Sequence, residues 1–351
     1  MSQAGANKAA RERQIEVPLT SERALDPAWL SLALEMQISA VELVESIKTV
    51  ATKLRFSAEV AGHGRQHFCL KGLLDTDEAG RMGGMTCVLE GDFYSQVAPT
   101  VGVRVPECLV AVVDREAQQG VIVMRDLIAG GARFCSALEP FTADDAAVSL
   151  QQLAALHQGS GLLAGAPWIR QRVADLARMT YITPEMLQDL MDGPRAEGLP
   201  AHVRRADLLI AGMRALAERD EQRPQFLVHG DSHAGNIFRT AQGAGLIDWQ
   251  LLQRGGWALD IAYHLCAVLP VDLAEREERR LLGIYLEMMR ASGREMPDDE
   301  DAWRQYRESV IYGQYLWAIT RRVDPPIIVQ FNQRLGAAVA RHDSHKLLGV
   351  G

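Results

Sequence analysis

The stretch Val228-His229-Gly230-Asp231-Ser232-His233-Ala234-Gly235-Asn236-Ile237-Phe238, followed by Gly245-Leu246-Ile247-Asp248-Trp249, carries most of the information in this chain of 351 residues. It contains the end of an apolar strand, a polar loop with an aspartate and, five positions later, an asparagine, and a second apolar strand that ends in another aspartate. Each polar residue alone is typical of a turn or a helix cap. Together, at this spacing between two strand-like segments, Asp231, Asn236 and Asp248 indicate a chemical site.

These three side chains fit the requirements of phosphoryl transfer. A phosphoryl group leaving a nucleotide spreads negative charge over its oxygens, so the protein must supply metal ligands, cations and a group that orients the attacking hydroxyl. Asp231 is predicted to be the orienting group. Mg²⁺ prefers oxygen ligands and is usually held by one or two protein groups plus substrate phosphates, which is the role predicted for Asn236 and Asp248. ATP and Mg²⁺ are therefore the expected cofactors.

With this motif the chain resembles the aminoglycoside phosphotransferase and choline kinase family of small-molecule kinases, whose hallmark is His-Gly-Asp-x-x-x-x-Asn followed by Ile-Asp-Trp or Ile-Asp-Phe. The Asp-Trp-Gln form at Asp248, with Trp257-Ala258-Leu259-Asp260-Ile261-Ala262-Tyr263 after it, is most similar to the bacterial ecdysteroid-kinase-like branch. The resemblance covers about Trp29 to Tyr263 and is more specific in its C-terminal half. It implies an α+β, bilobal protein-kinase-like fold, with an antiparallel sheet plus a helix in a small N-lobe and a larger, mostly helical C-lobe.

The order of predicted elements agrees with two lobes. We expect residues 1–20 to be flexible, residues 21–127 to form the nucleotide-binding N-lobe, and residues 128–351 to form the C-lobe with the catalytic loop and the acceptor site. The N-lobe elements predicted from apolar spacing and turn residues are a helix that begins at Asp26-Pro27 and runs through Leu34, strands at Ala40–Glu45, Thr52–Val60 and Gln66–Leu74, a helix at Ala79–Val97, and strands at Pro106–Asp114 and Val121–Met124. The predicted C-lobe helices are Ala143–His157, Trp168–Met179, Pro184–Met191, Ala201–Arg219, Gly256–Leu269, Leu273–Ser292 and Trp303–Arg322, with strands at Phe226–His229 and Ala244–Asp248.

Lys71 is the one lysine that lies inside an apolar run, where an unpaired charge would cost several kcal/mol. In the family that the chain resembles, the lysine of the third strand contacts the α- and β-phosphates and is held by a glutamate of the next helix. Glu90 matches that glutamate, because Glu-Gly-Asp-Phe-Tyr resembles the family's Glu-x-x-Phe-Tyr pattern. The alternative is that Lys71 extends to solvent at a strand edge and that Glu90 is a solvated helix residue.

The phosphate-covering loop departs from expectation. The segment between the first two predicted strands, Ser46–Ala51, contains no glycine, although a backbone that approaches a triphosphate closely usually needs one. Lys48 and Thr49 could contact the nucleotide with their side chains, and we assign Thr49 to the nucleotide site on that basis. The alternative is weak binding of the nucleotide.

Adenine binding is expected in the linker between the lobes, where the resemblance implies contacts with backbone groups. Met124, Arg125 and Leu127 are the predicted residues, since Met-Arg-Asp-Leu resembles the family's Met-Glu-Asp-Leu. Arg125 replaces the usual glutamate, which leaves the preference for ATP over GTP open.

Other polar and aromatic residues allow two interpretations each. His229 is expected to orient the loop, with metal binding together with His233 as the alternative; Asp260 is expected to anchor the loop backbone, and His157 to be a core histidine. The acidic run Pro297–Asp301 could attract a cationic substrate or start a helix. Tyr312, Tyr315 and Trp317 could line a substrate pocket or pack in the core.

Composition limits the possible functions. A net charge of −8 argues against nucleic acid or an anionic membrane as the partner, and no apolar run reaches the length of a membrane span or a signal sequence. We therefore expect a cytoplasmic kinase of a small hydroxylated molecule. A protein kinase is disfavoured because the arginine before the catalytic aspartate and an Ala-Pro-Glu segment are missing. A non-catalytic nucleotide-binding scaffold is the remaining alternative.

Overall fold

The computed structural model describes residues 15–49, 51–76 and 83–351. They divide into two compact units: the described residues up to Thr100 with Val105–Arg133, and Val101–Arg104 with Phe134–Gly351. Over the described part of the chain, no helix has the combination of length and apolarity that crossing a bilayer requires. The assignment of residues 21–127 to nucleotide binding and of residues 128–351 to the acceptor stays a prediction.

A five-stranded antiparallel sheet forms most of the first unit. Its strands in chain order are β1 (Ile38–Lys48), β2 (Thr52–Val60), β3 (Gly64–Gly72), β4 (Cys108–Asp114) and β5 (Gln119–Arg125). They are arranged in the order β1-β2-β3-β5-β4. Phe56 and Phe68 face each other on β2 and β3 and stack with their ring centroids 5.3 Å apart, an arrangement that adds about 0.5–1.5 kcal/mol beyond the buried area. The central strand β3 thereby brings Lys71 into the core.

The segment before the sheet is anchored, contrary to expectation for its last residues. Short helix α1 (Ser21–Ala24) precedes helix α2 (Pro27–Leu34), which begins as predicted because the Asp26 carboxylate accepts a hydrogen bond from the second helical backbone N–H. Residues 15–20, expected to be flexible, include the buried Val17, and the Trp29 indole donates a hydrogen bond to the Glu16 carbonyl at 2.8 Å. The prediction for residues 1–14 falls outside the described residues.

Strand β1 is longer than predicted, and the loop after it is shorter. The strand predicted for Ala40–Glu45 continues to Lys48, which pairs with Thr52. The predicted phosphate-covering loop is therefore a tight hairpin turn, of which residue 50 lies outside the described residues. Most of β1 is an exposed edge strand without alternating burial, so the hydrophobic period gives no signal for its ends.

The helix of the first unit agrees with the prediction over the residues that are described. Helix α3 (Gly84–Asp92) continues as a π-helical turn over Phe93–Val97; residues 77–82 lie outside the described part. Both Glu90 and Phe93 are buried. Such π-helical turns occur frequently at functional sites.

The second unit is mostly helical, as the sequence predicts. After strand β6 (Arg133–Phe134), its helices are α4 (Ala143–Gln158), α5 (Arg172–Ala177), α6 (Pro184–Asp192), α7 (Ala206–Glu221), α8 (Ala258–Val268), α9 (Val271–Ala291), α10 (Asp299–Ile319), α11 (Pro325–His342) and α12 (Ser344–Leu348). Its other strands are β7 (Phe226–Val228), β8 (Ile237–Thr240), β9 (Gly243–Leu246) and β10 (Gln253–Gly255). The sequence analysis missed α11, α12, β6, β8 and β10, and it made α5 too long.

Helix α8 lies at the centre of the second unit. Every residue from Ala258 to Val268 is buried, which is the pattern of a helix that is surrounded by other elements. The polar residues Asp260, Tyr263 and His264 on this helix therefore need hydrogen-bonding partners inside the protein. All three find such partners in or beside the motif that opened the sequence analysis.

Candidate phosphotransfer site

The first sequence motif forms a loop between β7 and β8, here called the motif loop (His229–Asn236). Strands β8 and β9 form an antiparallel hairpin, and the Ile247 backbone N–H donates to the Asn236 carbonyl at 3.0 Å just beyond it. Because this hydrogen bond extends the hairpin register, Asn236 and Asp248 lie at the same end of the two strands. The backbone hydrogen bond of the hairpin thus brings the two candidate metal ligands to the same place.

Gly230 occupies a position of the motif loop that excludes a side chain. Its φ is +81°, and a Cβ atom would lie 2.3 Å from the Leu251 carbonyl oxygen and 2.8 Å from Gln253 Nε2. The Tyr312 hydroxyl donates to the Gly230 carbonyl at 2.7 Å and accepts from Gln253 Nε2 at 2.9 Å. Close packing and the left-handed backbone together explain the glycine at the position where protein kinases have arginine.

The neutral ring of His229 hydrogen-bonds both the motif loop and the segment that leads to Asp248. Its Nδ1 accepts from the Asp231 backbone N–H at 3.1 Å, and its Nε2 lies 3.0 Å from the Ile247 carbonyl. A backbone N–H only donates and a carbonyl only accepts, so the proton must sit on Nε2. Burial lowers the pKa of His229, which favours this neutral form. Both ring nitrogens are used, so the metal-binding alternative for His229 is wrong.

Asp260 holds the start of the motif loop from helix α8. Its carboxylate accepts from the His229 backbone N–H at 2.7 Å and from the Gly230 backbone N–H at 2.9 Å. His157 Nε2 lies 3.1 Å from the same carboxylate, and His157 Nδ1 lies 2.7 Å from the Tyr285 hydroxyl. Burial opposes ionisation of Asp260, yet these hydrogen bonds, with that of His157 the largest, lower its pKa. The expected anchoring role of Asp260 and core role of His157 agree with these contacts.

Asp231 is held by hydrogen bonds to both of its carboxylate oxygens. Tyr263 donates to Oδ1 at 3.0 Å, and Asn236 Nδ2 donates to Oδ2 at 3.1 Å. His233 Nε2 lies 3.6 Å from Oδ2. The Asp231 side chain remains 26% exposed, so a reacting hydroxyl can approach it. Asp231 is thus both oriented and accessible, which a residue that orients an acceptor must be.

The arrangement of Asn236 and Asp248 fits a magnesium ion. Asn236 Nδ2 donates to the Asp231 main-chain oxygen at 2.8 Å, which assigns the amide so that its oxygen remains as a candidate ligand. Asp248 has φ +68° and ψ +74°, a left-handed conformation that is uncommon without a functional or steric reason. An amide oxygen and a carboxylate are the hard donors that Mg²⁺ prefers. Their assignment as metal ligands stays a prediction.

In the first unit, Lys71 and Glu90 form a buried ion pair. Lys71 Nζ lies 2.7 Å from Glu90 Oε2, and the two side chains are 5% and 3% exposed. The alternative, in which the lysine extends to solvent and the glutamate is solvated, is therefore wrong. A buried pair of this kind is costly to desolvate and is weak evidence for stabilisation. The role of Lys71 in binding phosphate stays a prediction.

The remaining candidates for nucleotide binding are placed less favourably. Thr49 lies in the β1–β2 turn, where its hydroxyl donates to the Ala51 carbonyl at 3.1 Å. Met124 and Arg125 are strand residues of β5 rather than linker residues, and the Arg125 backbone N–H already donates to the Glu107 carbonyl at 2.9 Å. Leu127 follows in a turn. The Arg125 backbone N–H is thus engaged within the sheet, and the assignment of Thr49, Met124, Arg125 and Leu127 to nucleotide binding stays a prediction.

The Arg125 side chain is committed elsewhere in the first unit. Its guanidinium lies 5.3 Å from the Phe68 ring centroid and donates to Gln66 Oε1 at 3.2 Å. The neighbouring Asp126 accepts from the backbone N–H groups of residues 128 and 129 and from Arg55 Nε. The turn after β5 is therefore shaped by Asp126, a residue that the sequence analysis did not assign.

A buried group of possible metal ligands outside the motif is better explained as a salt bridge. The ligand atoms of Cys266, Glu278 and His342 lie within 4.8 Å of one another. However, Arg341 Nη2 donates to Glu278 Oε2 at 2.7 Å, and His342 Nε2 lies 3.1 Å from the same oxygen. Burial opposes ionisation of Glu278, but these two partners lower its pKa. A guanidinium in contact with the carboxylate disfavours a second cation there.

The aromatic residues of α10 are buried, and the acidic run before it begins the helix, while attraction of a cationic substrate by this run stays a prediction. Tyr312, Tyr315 and Trp317 are all buried, so they pack in the core. The Asp298 carboxylate accepts from the Asp301 backbone N–H at 2.8 Å and caps α10. The sequence analysis missed Tyr263 as a contact of Asp231, although the residue stood in the segment that carried the family resemblance.

The chain is similar to known proteins in sequence and in fold. The model of the ecdysteroid kinase-like family matches residues 65–296. A thiamine kinase of Salmonella newport is 35% identical over 106 residues, which cover 30% of this chain and 34% of that protein. The alignment with the curated relatives thus spans about a third of their length.

Solved structures share the fold over most of the chain. The ethanolamine kinase of Plasmodium vivax has a TM-score of 0.51 at 14% identity and covers 96% of this chain and 94% of its own. LicA, a choline kinase of Streptococcus pneumoniae, has a TM-score of 0.51 in its complex with AMP at 14% identity, and the match covers 92% and 99%. At these identities the likeness shows the fold, and the protein-kinase-like fold expected from the sequence is confirmed.

Proposed function

The chain belongs to the ecdysteroid kinase-like family, and on that basis we propose that it transfers the γ-phosphoryl group of ATP to a hydroxyl group of a small molecule with the help of Mg²⁺. The observation that carries this proposal is the geometry of Asp231. It is accessible, it is held at both carboxylate oxygens, and it shares one hairpin end with Asn236 and Asp248.

Asp231 accepts a hydrogen bond from the acceptor hydroxyl and orients it for in-line attack. As the new bond between the acceptor oxygen and the γ-phosphorus forms, the bond to the β,γ-bridging oxygen breaks and ADP leaves. The hydroxyl proton passes to Asp231. Correct placement of such a group typically contributes about 10²- to 10⁴-fold in rate, so Asp231 is the residue whose loss is most informative.

Asn236 and Asp248 are the residues that would hold Mg²⁺, which supplies charge neutralisation at the phosphate oxygens. His229 links the backbone of Asp231 to that of Ile247, the residue before Asp248, because its ring hydrogen-bonds both. In the first unit, Lys71 braced by Glu90 would bind the α- and β-phosphates as a point charge. The turn that contains Leu127 would supply backbone groups for the base, together with Met124 near the end of β5. Thr49, in the turn after β1, would contact the nucleotide with its side chain.

The acceptor is proposed only as a small hydroxylated molecule. The thiamine, ethanolamine and choline kinases similar to this chain are named for different acceptors, and a shared fold does not select among them. The second candidate is a non-catalytic nucleotide-binding scaffold. The glycine-free hairpin at Thr49 favours it, whereas the intact set of Asp231, Asn236 and Asp248 opposes it.

The test is ADP release measured with Mg²⁺-ATP and a panel of alcohols, amino alcohols, sugars, sterols and aminoglycosides. We compare the wild-type protein with Asp231→Asn, which keeps the size of the side chain but removes its basicity. Asp189→Asn on the exposed face of α6 is the matched control. We expect Asp231→Asn to lose at least about 10²-fold of the turnover and Asp189→Asn to keep all of it.

Binding of a fluorescent nucleotide analogue separates the two candidates. If the wild-type protein binds the nucleotide but releases no ADP above the Asp231→Asn background with any acceptor or with water, the scaffold function replaces the kinase function. Turnover that survives in Asp231→Asn would instead remove Asp231 from the mechanism.

A further inference from the structure

Three polar side chains from distant parts of the second unit form a hydrogen-bonded chain that ends on the proposed catalytic residue. The Trp317 indole N–H on α10 donates to the Tyr263 hydroxyl at 2.7 Å, and the Tyr263 hydroxyl on α8 reaches Asp231 Oδ1 at 3.0 Å. Tyr263 is fully buried and Trp317 is 4% exposed. The chain therefore lies in the protein interior and meets solvent only at its Asp231 end.

The direction of each hydrogen bond in this chain is fixed by the chemistry of its two ends. An indole nitrogen only donates, and a carboxylate only accepts. The Tyr263 hydroxyl between them must therefore accept from Trp317 and donate to Asp231. Burial and the neighbouring Asp231 raise the pKa of Tyr263 well above its ordinary value, so the phenol keeps the proton that it donates. Successive hydrogen bonds with one polarity strengthen one another.

The opposite carboxylate oxygen is fixed independently. Asn236 Nδ2 donates to Asp231 Oδ2 at 3.1 Å and to the Asp231 main-chain oxygen at 2.8 Å. Rotation of the carboxylate about its Cβ–Cγ bond would break both the Tyr263 and the Asn236 hydrogen bonds. Since each carboxylate oxygen has a second lone pair, the acceptor hydroxyl can still bind while the orientation is held.

We infer that Tyr263 and Trp317 are positioning residues that hold Asp231 in the orientation required for phosphoryl transfer. The inference rests on the proposed function, and it extends the site to helix α10, which touches neither the nucleotide nor the metal in the proposed mechanism. Tyr263 acts through its hydroxyl, and Trp317 acts by donating to that hydroxyl.

A purely structural role for the same residues would have a different signature. The Trp317 ring packs against Phe331 and His233, with ring centroids 4.2 Å and 5.2 Å apart, so removing the whole ring would disturb the packing. Tyr263→Phe removes only the hydroxyl. The matched control is Tyr306→Phe on α10, which removes an equally buried hydroxyl that contacts Cys266 and Glu278 instead of the site.

The experiment compares these two variants in Mg²⁺-ATP turnover, with water as the acceptor or with any acceptor found in the panel. We expect Tyr263→Phe to lower kcat about 10- to 100-fold, a part of what a positioned base contributes, and to leave the KM for ATP unchanged. Tyr306→Phe is expected to keep the wild-type kcat. Trp317→Phe, which keeps an aromatic ring but not the donor, is expected to lower kcat less than Tyr263→Phe does.

Equal kcat values for Tyr263→Phe and Tyr306→Phe would overturn the inference while leaving the proposed function intact. Absence of Asp231-dependent turnover in the wild-type protein would overturn the proposed function and the inference with it. Crystal structures of the wild type and Tyr263→Phe give a readout without turnover. A rotated or doubled Asp231 carboxylate in the variant supports the positioning role, and an unchanged carboxylate contradicts it.

Discussion

Replacing Asp260 with asparagine should destabilise the second unit strongly, although the two side chains have almost the same shape. Oδ2 of Asp260 accepts from the His229 backbone N–H and faces His157 Nε2, and Oδ1 accepts from the Gly230 backbone N–H. An asparagine must direct its NH₂ group toward one of these sides. Whichever way the amide turns, a donor then faces a donor in a fully buried place.

The size of the effect follows from the two losses. One hydrogen bond to a charged group, worth about 1.5–3 kcal/mol, disappears, and one buried N–H without a partner adds about 1–3 kcal/mol. We therefore expect Asp260→Asn to lower the free energy of unfolding by about 2.5–6 kcal/mol, a large share of the roughly 5–15 kcal/mol of a typical domain. Turnover should fall as well, because the motif loop starts at the two backbone groups that lose their anchor.

The assay is urea unfolding at pH 7, followed by tryptophan fluorescence, with the slope m compared between variants. The pKa of Asp260 is lowered in the folded protein, so its stabilising contribution is fully present above the unfolded value of about 3.9. That contribution is lost as the pH falls through the folded value, so neutral pH measures all of it.

Asp220→Asn is the matched control for Asp260→Asn. Asp220 is equally buried and accepts from the Gly256 backbone N–H at 2.8 Å and from Gln171 Nε2 at 2.7 Å. The Gln171 amide can turn to present its oxygen to the new NH₂ group, so we expect a loss within about 1 kcal/mol. Burial raises the pKa of Asp220, which also favours a neutral substitute. Equal losses at positions 220 and 260, or a loss below about 1 kcal/mol at Asp260, would refute the reasoning.

Three further expectations concern the glycine, a buried histidine and the ion pair. Gly230→Ala should destabilise the protein more than Gly198→Ala in urea unfolding. Both glycines have φ near +80°, but of the two only Gly230 has atoms within reach of an added Cβ. Similar losses of unfolding free energy in the two variants would show that the structure relieves the clash at Gly230. Burial lowers the pKa of His264 to about 4, so the stability that neutral His264 contributes is present above pH 6.5 and decreases by up to about 3 kcal/mol as the pH falls toward 4. His264→Asn should flatten this part of the plot of unfolding free energy against pH. An unchanged plot would contradict the lowered pKa of His264. Glu90→Gln should lower the free energy of unfolding by about 3–5 kcal/mol, because it removes the carboxylate that faces the buried Lys71, and should raise the KM for ATP. Lys71→Met combined with Glu90→Leu should restore stability but not ATP binding. If the double variant restores both, the ion pair has no role in nucleotide binding.

The sequence predicted the parts of the site that depend on local spacing. Asp231, Asn236 and Asp248 lie within one loop and one hairpin, so their order along the chain determines their placement. Lys71 was identified because a lysine in an apolar strand requires a buried anion, whereas Glu90 was assigned from the family's Glu-x-x-Phe-Tyr pattern. The ion pair between them is present. For the motif residues and for Lys71, the physical constraint is visible in a short window of sequence.

The parts that sequence reasoning missed depend on contacts between distant positions. Tyr263 and Trp317 are 54 residues apart, and nothing near either residue indicates their hydrogen bond. Helix α11 begins after Asp324 with two prolines, a recognisable start signal that the sequence analysis did not use. The β1–β2 loop was misjudged because an exposed edge strand lacks the alternation that marks where a strand ends.

The neutral ring of His229 has a consequence for how such a protein could change its acceptor. Since one imidazole bonds the backbone on both sides, moving the proposed base relative to the proposed metal ligand Asp248 would strain or break one of these hydrogen bonds. Substitutions in the surrounding helices can then reshape the space for a new alcohol without misaligning the reactive groups. A module locked in this way can diversify its substrates over evolution while its chemistry stays the same.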